Sequence, residues 1–293
     1  MSARLLDAGD SAVTVEFGNV IAADLVARVA AFDRALAAAR QRGELPGVVE
    51  AMPTFRSLTL LYDPLQTDRA RIDPVLQALL AGLDAPPAAG LEPPQAVAGD
   101  QRGGPDGRDW RLPVCYGADF GADLPAVALA TGLSADAVVR LHASTEFRVY
   151  MIGFMPGFAF MGGLPAALQM PRLRQPRLRV PAGSVAITGG LTAVYPWQSP
   201  GGWQLIGRCP VPLFDATAAR PSLLAPGDRV RFDPVSPARL AELEAALRAG
   251  ELTAAACCDG SEGAACGDGS EGAACVDGSE GAACGDGSEG AAA

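Results

Sequence analysis

One histidine, four arginines and three runs rich in glycine and proline hold the groups that could do chemistry. His142 is the single histidine of the chain, and so the one side chain whose unperturbed pKa lies near neutrality. It could move a proton or donate to a developing oxyanion. It also falls at the end of a helical stretch, where a histidine can act only on the helix terminus. Arg172, Arg174, Arg177 and Arg179 follow in the run MPRLRQPRLRV. On extended chain, residues two apart share a face, which pairs Arg172 with Arg174 and Arg177 with Arg179. Guanidinium forks grip carboxylate or phosphate through two parallel hydrogen bonds. Pro171 and Pro176 fix the backbone just ahead of Arg172 and Arg177, which makes these two the anion-binding candidates. The competing reading is a solvated strand face paired with acids.

The run GFMPGFAF (153–160) has two glycines around a proline but no following GK[ST], so it is not a phosphate-binding P-loop. It reads either as a barrel corner with Phe154, Phe158 and Phe160 in the core, or as a loop whose Gly153, Phe154, Pro156 and Gly157 line a cleft. In QSPGGW (198–203), Pro200, Gly201 and Gly202 predict a tight turn whose backbone N–H groups could form an anion nest. Trp203 would give it a stacking surface and Gln198 a neutral donor and acceptor. A structural hairpin is the alternative. Ser184, in VPAGSVAI, has no histidine or acid pattern around it and suits binding or packing better than nucleophilic attack.

These residues must be positioned by elements. From 142 to 215, glycine and proline recur between apolar residues, which predicts short strands and shaped loops. Ahead of them, residues 1–83 read β-α-β-β-α: strand 12–17, amphipathic helix 22–40, strands 48–53 and 57–62, and helix 68–83 capped by Asp68. Residues 84–109 form a Pro/Gly-rich linker. A second domain, 110–250, opens with strand 111–116 and helices 123–131 and 134–144, the latter with Ser134 as N-cap. Strand 147–154 follows, then short strands to 232 and a helix over 236–248. That pattern supports a barrel or sandwich. From 257 to 293 the unit CxDGSEGAA repeats four times. Small residues with one sign of charge cannot offset ordering entropy, so this tail is expected to be disordered; weak metal binding by its thiols and carboxylates is the alternative.

Composition narrows the function classes. The net charge of −10 comes mostly from the tail, whose eight acids leave 25 acids against 23 bases in the body. A nearly neutral body carries no footprint for nucleic acid. All 23 cations are arginine, which removes a Schiff-base lysine, a P-loop lysine and a biotinylated lysine. Cys115 and Cys209 are the body's cysteines and read as inert buried thiols. With one histidine no zinc site is expected there. No apolar run reaches the length of a membrane span, and the first residues show no secretory pattern, so a cytoplasmic location is expected.

Taken in order, GDSAVTVEFG, His142, GFMPGFAF, the two Pro-Arg steps, VPAGSVAI, and SPGGW followed by IGR make the chain resemble one bacterial family. It is the family of the 5-oxoprolinase B subunit, also called allophanate hydrolase subunit 1 or KipI-like, and the likeness runs over about residues 4–240. The resemblance implies an α+β fold: a small N-terminal α/β sandwich domain, then a cyclophilin-like β-barrel. It implies a component, inactive alone, of an ATP-dependent enzyme that opens 5-oxo-L-proline to L-glutamate. ATP, with Mg, would be bound by the assembled complex. The partners would be a sister C subunit and a third oxoprolinase subunit, with a site shared between chains and a small carboxylate substrate. His142 would transfer protons, Arg172 and Arg177 would clamp the anion, and Pro200 to Trp203 would form a cleft wall. Two other roles occur among such proteins: carboxyl transfer in urea or amide metabolism, and KipI-like inhibition of a histidine kinase. One departure is Cys209, which stands where the family usually has threonine after IGR.

Overall fold

The computed structural model describes residues 3–84, 107–117 and 119–258. Most of the expected linker and the repeats beyond Cys258 lie outside these residues.

Strict apolar alternation builds the first sheet. Strands β1 (Arg4–Asp7), β2 (Ala12–Glu16), β3 (Val48–Pro53) and β4 (Ser57–Tyr62) stand in the order β1-β2-β4-β3, all antiparallel. Val13, Val15, Leu58 and Leu60 point to one face and are fully buried. Helices α1 (Ala23–Gln41) and α2 (Arg69–Asp84) share that core through Phe32, Leu36, Ile72 and Leu76. The expected cap of α2 is present: the Arg71 N–H donates to Asp68 Oδ1 at 3.0 Å. Strand β1 was not expected. It is an edge strand with no fully buried residue, so it carries no alternating signal.

The second region begins with β5 (Asp109–Tyr116), α3 (Leu124–Thr131) and α4 (Ala135–Ala143). Ser134 caps α4 as expected, its hydroxyl accepting from the Ala137 N–H at 3.2 Å. Then come β6 (Phe147–Ile152), β7 (Ala159–Gly162), β8 (Arg177–Val180), β9 (Ser184–Thr188), β10 (Leu191–Val194), β11 (Ser199–Gly201), β12 (Gln204–Arg208) and β13 (Arg229–Pro234). Helices α5 (Pro237–Ala249) and α6 (Ala254–Cys258) follow.

Of the two architectures left open, the structure takes the barrel. Seven strands close in the order β10-β7-β6-β13-β5-β12-β9, with β9 pairing back to β10. Only the β5–β13 pair is parallel. Leu112, Val114, Phe147, Val149, Met161, Ile187, Val230 and Phe232 fill the interior. Strands β8 and β11 stay outside the barrel as a two-stranded antiparallel ribbon.

The buried Asp228 stitches one end of the barrel. Its carboxylate accepts from the Arg108 N–H at 2.8 Å, the Trp110 indole N–H at 2.8 Å and the Ala225 N–H at 2.9 Å. At the other end of the chain the expected tail boundary moves. Cys257 is half-buried and Cys258 is buried in the barrel core. A five-residue helix of alanine and cysteine is too short to show periodicity, which is why this stretch read as tail.

Candidate active site

The ribbon is where the expected anion-binding residues meet. Gly201 on β11 faces Arg177 on β8, and Ser199 faces Val180. The expected tight turn at Pro200–Gly202 is therefore corrected: Ser199–Gly201 is a strand. Proline lacks a donor, which an edge strand tolerates. Gly201 is needed because a Cβ there would overlap the Tyr195 hydroxyl. The segment before β8 is held to the ribbon by two bonds. The Leu173 N–H donates to Gly202 O at 2.7 Å, and Gln204 Nε2 donates to Pro171 O at 2.9 Å. Arg172 and Arg174 are exposed on that segment, and Arg177 is half-buried.

Arg177 is fixed from below. Its Nη2 donates to Asp123 Oδ1 at 2.6 Å, and Asp123 Oδ2 accepts the Leu205 N–H at 2.6 Å. Arg177 Nη1 is buried with no hydrogen-bond partner among the described residues. Tyr195 lies under the ribbon. Burial raises the pKa of its hydroxyl, against the Trp203 backbone N–H and the charges of Arg172 and Arg177, which lower it. A buried, neutral phenol beside two guanidinium groups can hold an anion without competing for it.

Trp203 does not offer the open stacking surface expected of it. It is 4 % exposed and packs edge-on to Phe158, ring centres 5.8 Å apart, and against Phe160 at 5.9 Å. Its large apolar area is better satisfied as the floor of the site. Gln198 and Pro200 are exposed, and Gly202 is buried. Ser184 is buried on β9.

The GFMPGFAF run divides. Phe158 is buried and Phe160 half-buried, as the core reading expects. Phe154 is 68 % exposed and has φ of +69°, the one non-glycine residue in the left-handed region among those described. The Met155 N–H donates back to Gly153 O at 2.8 Å, closing a three-residue turn with Phe154 at its apex. A bulky residue held there is strained, and strain of this kind concentrates at binding and switching sites. Pro156 is exposed and Gly157 buried; a Cβ on Gly157 would come within 2.7 Å of Phe214. Phe214 in turn packs against the half-exposed Trp197 at 6.4 Å. Trp197 and Phe214 lie in the glycine- and proline-rich stretch but were not singled out there; the fold places them beside this turn.

His142 lies elsewhere. It is fully buried inside the barrel, stacked on Phe232 at 4.7 Å and tilted against Phe147 at 4.9 Å. Thr192 Oγ1 spends its proton on Ala186 O at 3.1 Å, so it accepts from His142 Nε2 at 3.0 Å. Nδ1 must then accept from the Tyr116 hydroxyl at 2.8 Å. Both ring nitrogens are committed, and burial pushes the pKa down to about 3. None of these partners is an expected site residue, and the ring is fully buried with both nitrogens bonded. The burial of His142, invisible in the sequence, departs from the accessible position that the proton-transfer role implied by the resemblance calls for.

Cys209 is also buried, and burial pushes its thiol up to about 12. Cys209 packs inside the core. A separate cavity of about 250 Å³ lies between α1 and β6, lined by Val26, Ala30, Pro53, Arg148 and Tyr150 among others. It contains none of the expected site residues.

A closed barrel with an outlying ribbon and a four-stranded sheet ahead of it defines a class. Residues 3–224 match the family described as carboxyltransferase domain, subdomain C and D. The chain is 39 % identical over 232 residues to the 5-oxoprolinase B subunit of Bacillus subtilis (strain 168), covering 78 % of this chain and 91 % of that one. It is 42 % identical over 191 residues to the 5-oxoprolinase B subunit of Escherichia coli O157:H7, covering 65 % and 80 %. The chain belongs to the 5-oxoprolinase B-subunit family. A weaker likeness, 33 % over 122 residues, is to the urea amidolyase of Saccharomyces cerevisiae, of which it covers 6 %. Among solved structures, TTHA0988 aligns with a TM-score of 0.60 at 38 % identity over 77 % of this chain, which spans 40 % of that longer chain. The Kluyveromyces lactis urea carboxylase aligns at 0.66 and 19 % identity over 86 % of this chain and 23 % of its own, a likeness of fold alone.

Proposed function

We propose that this chain is one component of an ATP-dependent 5-oxoprolinase, with an active site completed by a sister subunit. One observation carries the reading: a family relationship that covers 91 % of a protein named for that enzyme. The ribbon adds Arg177 facing Gly201, with Arg172 on the segment that leads into it. Arg172 and Arg177 bind the 5-oxoproline carboxylate, and Pro200 to Gly202 form the adjoining edge. Gly153, Phe154, Pro156 and Gly157 supply the neighbouring wall. His142 serves as a structural post.

The lactam of 5-oxoproline is an unstrained amide and resists water, so coupling its opening to ATP is chemically sensible. The described residues offer no fit for the Mg of the nucleotide. Among the described residues no cluster of three or more His, Cys, Asp or Glu could hold a metal ion, and the chain has no GK[ST] loop. ATP with Mg is assigned to the sister C subunit or to a third one, and the chain is inactive alone. Residues 1–83 and 110–250 act as its two domains. The complex is placed in the cytoplasm; no single helix among the described residues is long and apolar enough to cross a membrane.

The test is 5-oxoproline-dependent ATP hydrolysis by this chain co-purified with its genomic neighbours, with glutamate measured as product. Glutamate formation that needs both this chain and a partner supports the reading; its absence with every neighbour removes it. The urea amidolyase likeness favours carboxyl transfer as the second reading. With no lysine in the chain, a partner would then carry the biotin, and biotin-dependent carboxylation of urea or an amide would replace glutamate formation.

A further inference from the structure

We propose that Asp123 is the positioning residue of the anion site, holding Arg177 by one nitrogen so that the other binds a small monocarboxylate. The inference rests on the reading of the ribbon as the substrate face. Asp123 is 8 % exposed and precedes α3, yet its carboxylate makes no capping bond to that helix. It turns inward instead. One oxygen takes the N–H of Leu205 on the barrel strand β12 at 2.6 Å, and the other takes Nη2 of Arg177 on the ribbon at 2.6 Å. Because a barrel backbone group holds one side of the carboxylate, the guanidinium plane is fixed relative to the barrel.

That leaves Arg177 Nη1 buried without an acceptor among the described residues. A buried donor with no partner is rare in native proteins and calls for an explanation such as a bound group. Charge points to an anion: Asp123 neutralises Arg177, and Arg172, Arg174 and Arg179 of the same run are exposed. The one donor left on Arg177 suits a single carboxylate oxygen, as the proposed substrate supplies. Asp123 does not touch the ligand in this arrangement; it acts through Arg177.

The experiment is calorimetric titration of the chain, co-purified with its partner protein, using two ligands. One is 5-oxo-L-proline. The other is cyclopentanecarboxylate, which keeps the carboxylate and has no lactam. Asp123→Asn and Arg177→Gln are each expected to weaken both ligands about tenfold or more, as lost charge-assisted bonds do, while 2-pyrrolidone, a lactam with no carboxylate, is unaffected. Thermal melting without ligand checks that each variant folds. Should Asp123→Asn fail to fold, Arg177→Lys, which keeps the charge and loses the fork, is expected to weaken carboxylates similarly. Wild-type affinity in Asp123→Asn overturns the proposal. So does equal weakening of 2-pyrrolidone, the mark of a merely structural role, or tighter binding of inorganic phosphate than of either carboxylate. Loss of the partner protein from Arg177→Gln with carboxylate binding intact also overturns it, because Nη1 would then serve a protein contact. Cyclopentanecarboxylate binding that depends on both residues, in a complex that makes no glutamate, keeps this site and removes the oxoprolinase reading.

Discussion

His142 shows how burial decides a residue's role. Its ring is neutral, doubly hydrogen-bonded and stacked between phenylalanines, and its pKa is held down to about 3 against an ordinary 6.5. Below pH 6.5 the unfolded chain takes up a proton that the folded barrel refuses until about pH 3. Stability is therefore full above that window and falls as pH drops through it, by at most ~1.4 kcal/mol per pH unit. His142→Gln is expected to flatten that part of the pH profile, read as urea midpoints across the range; an unchanged profile would contradict a buried neutral ring. His142→Ala is expected to cost about 3 kcal/mol, from a cavity and two orphaned hydroxyl contacts, measured by urea denaturation. Of the residues singled out in the sequence, the arginines and the Pro-Gly-Gly run are brought together by the fold. Their type and spacing were legible because anion recognition uses few side chains. Asp123 was not, because its partners Leu205 and Arg177 lie 82 and 54 residues away.

At the scale of elements, the proposed site depends on the ribbon of β8 and β11. Gly201→Ala places a methyl group against the Tyr195 hydroxyl. It is expected to push the ribbon off its floor and lower turnover of the complex, and Tyr195→Phe in the same chain is expected to restore part of it. No rescue in the double variant would place the fault elsewhere. Asp228 belongs to the barrel end instead. Asp228→Ala orphans three donors and is expected to cost about 3 kcal/mol or more in denaturant titrations. Strands with one buried face, such as β2 and β4, were readable from alternation, and β3 was found with its bounds unchanged. Strands without one were not: β1 has no buried face, and β11 is three residues of serine, proline and glycine that become a strand only by pairing with β8.

Across the whole molecule, two cores carry different duties. The four-stranded sheet and its two helices bury one face against each other, and the barrel buries its interior around His142. A third cluster, Phe158, Tyr195 and Trp203 with Phe55 from the β3–β4 turn, packs beneath the ribbon. Phe55 stands 5.4 Å from Phe160 and links the first sheet to that floor. The exposed groups of the site, Phe154, Trp197 and Arg172 among them, lie on the outside of this cluster. Under the proposed function these groups are the surface that a sister subunit covers. The measurement that bears most directly on the account is glutamate formation by the co-purified complex, comparing wild type, Arg177→Gln and His142→Gln. The account predicts that Arg177→Gln loses most of kcat/KM through a raised KM, and that His142→Gln, once shown to be folded, keeps kcat close to wild type. The opposite order, with kcat abolished in a folded His142→Gln and Arg177→Gln unimpaired, would move the active site from the ribbon to the barrel interior and contradict it.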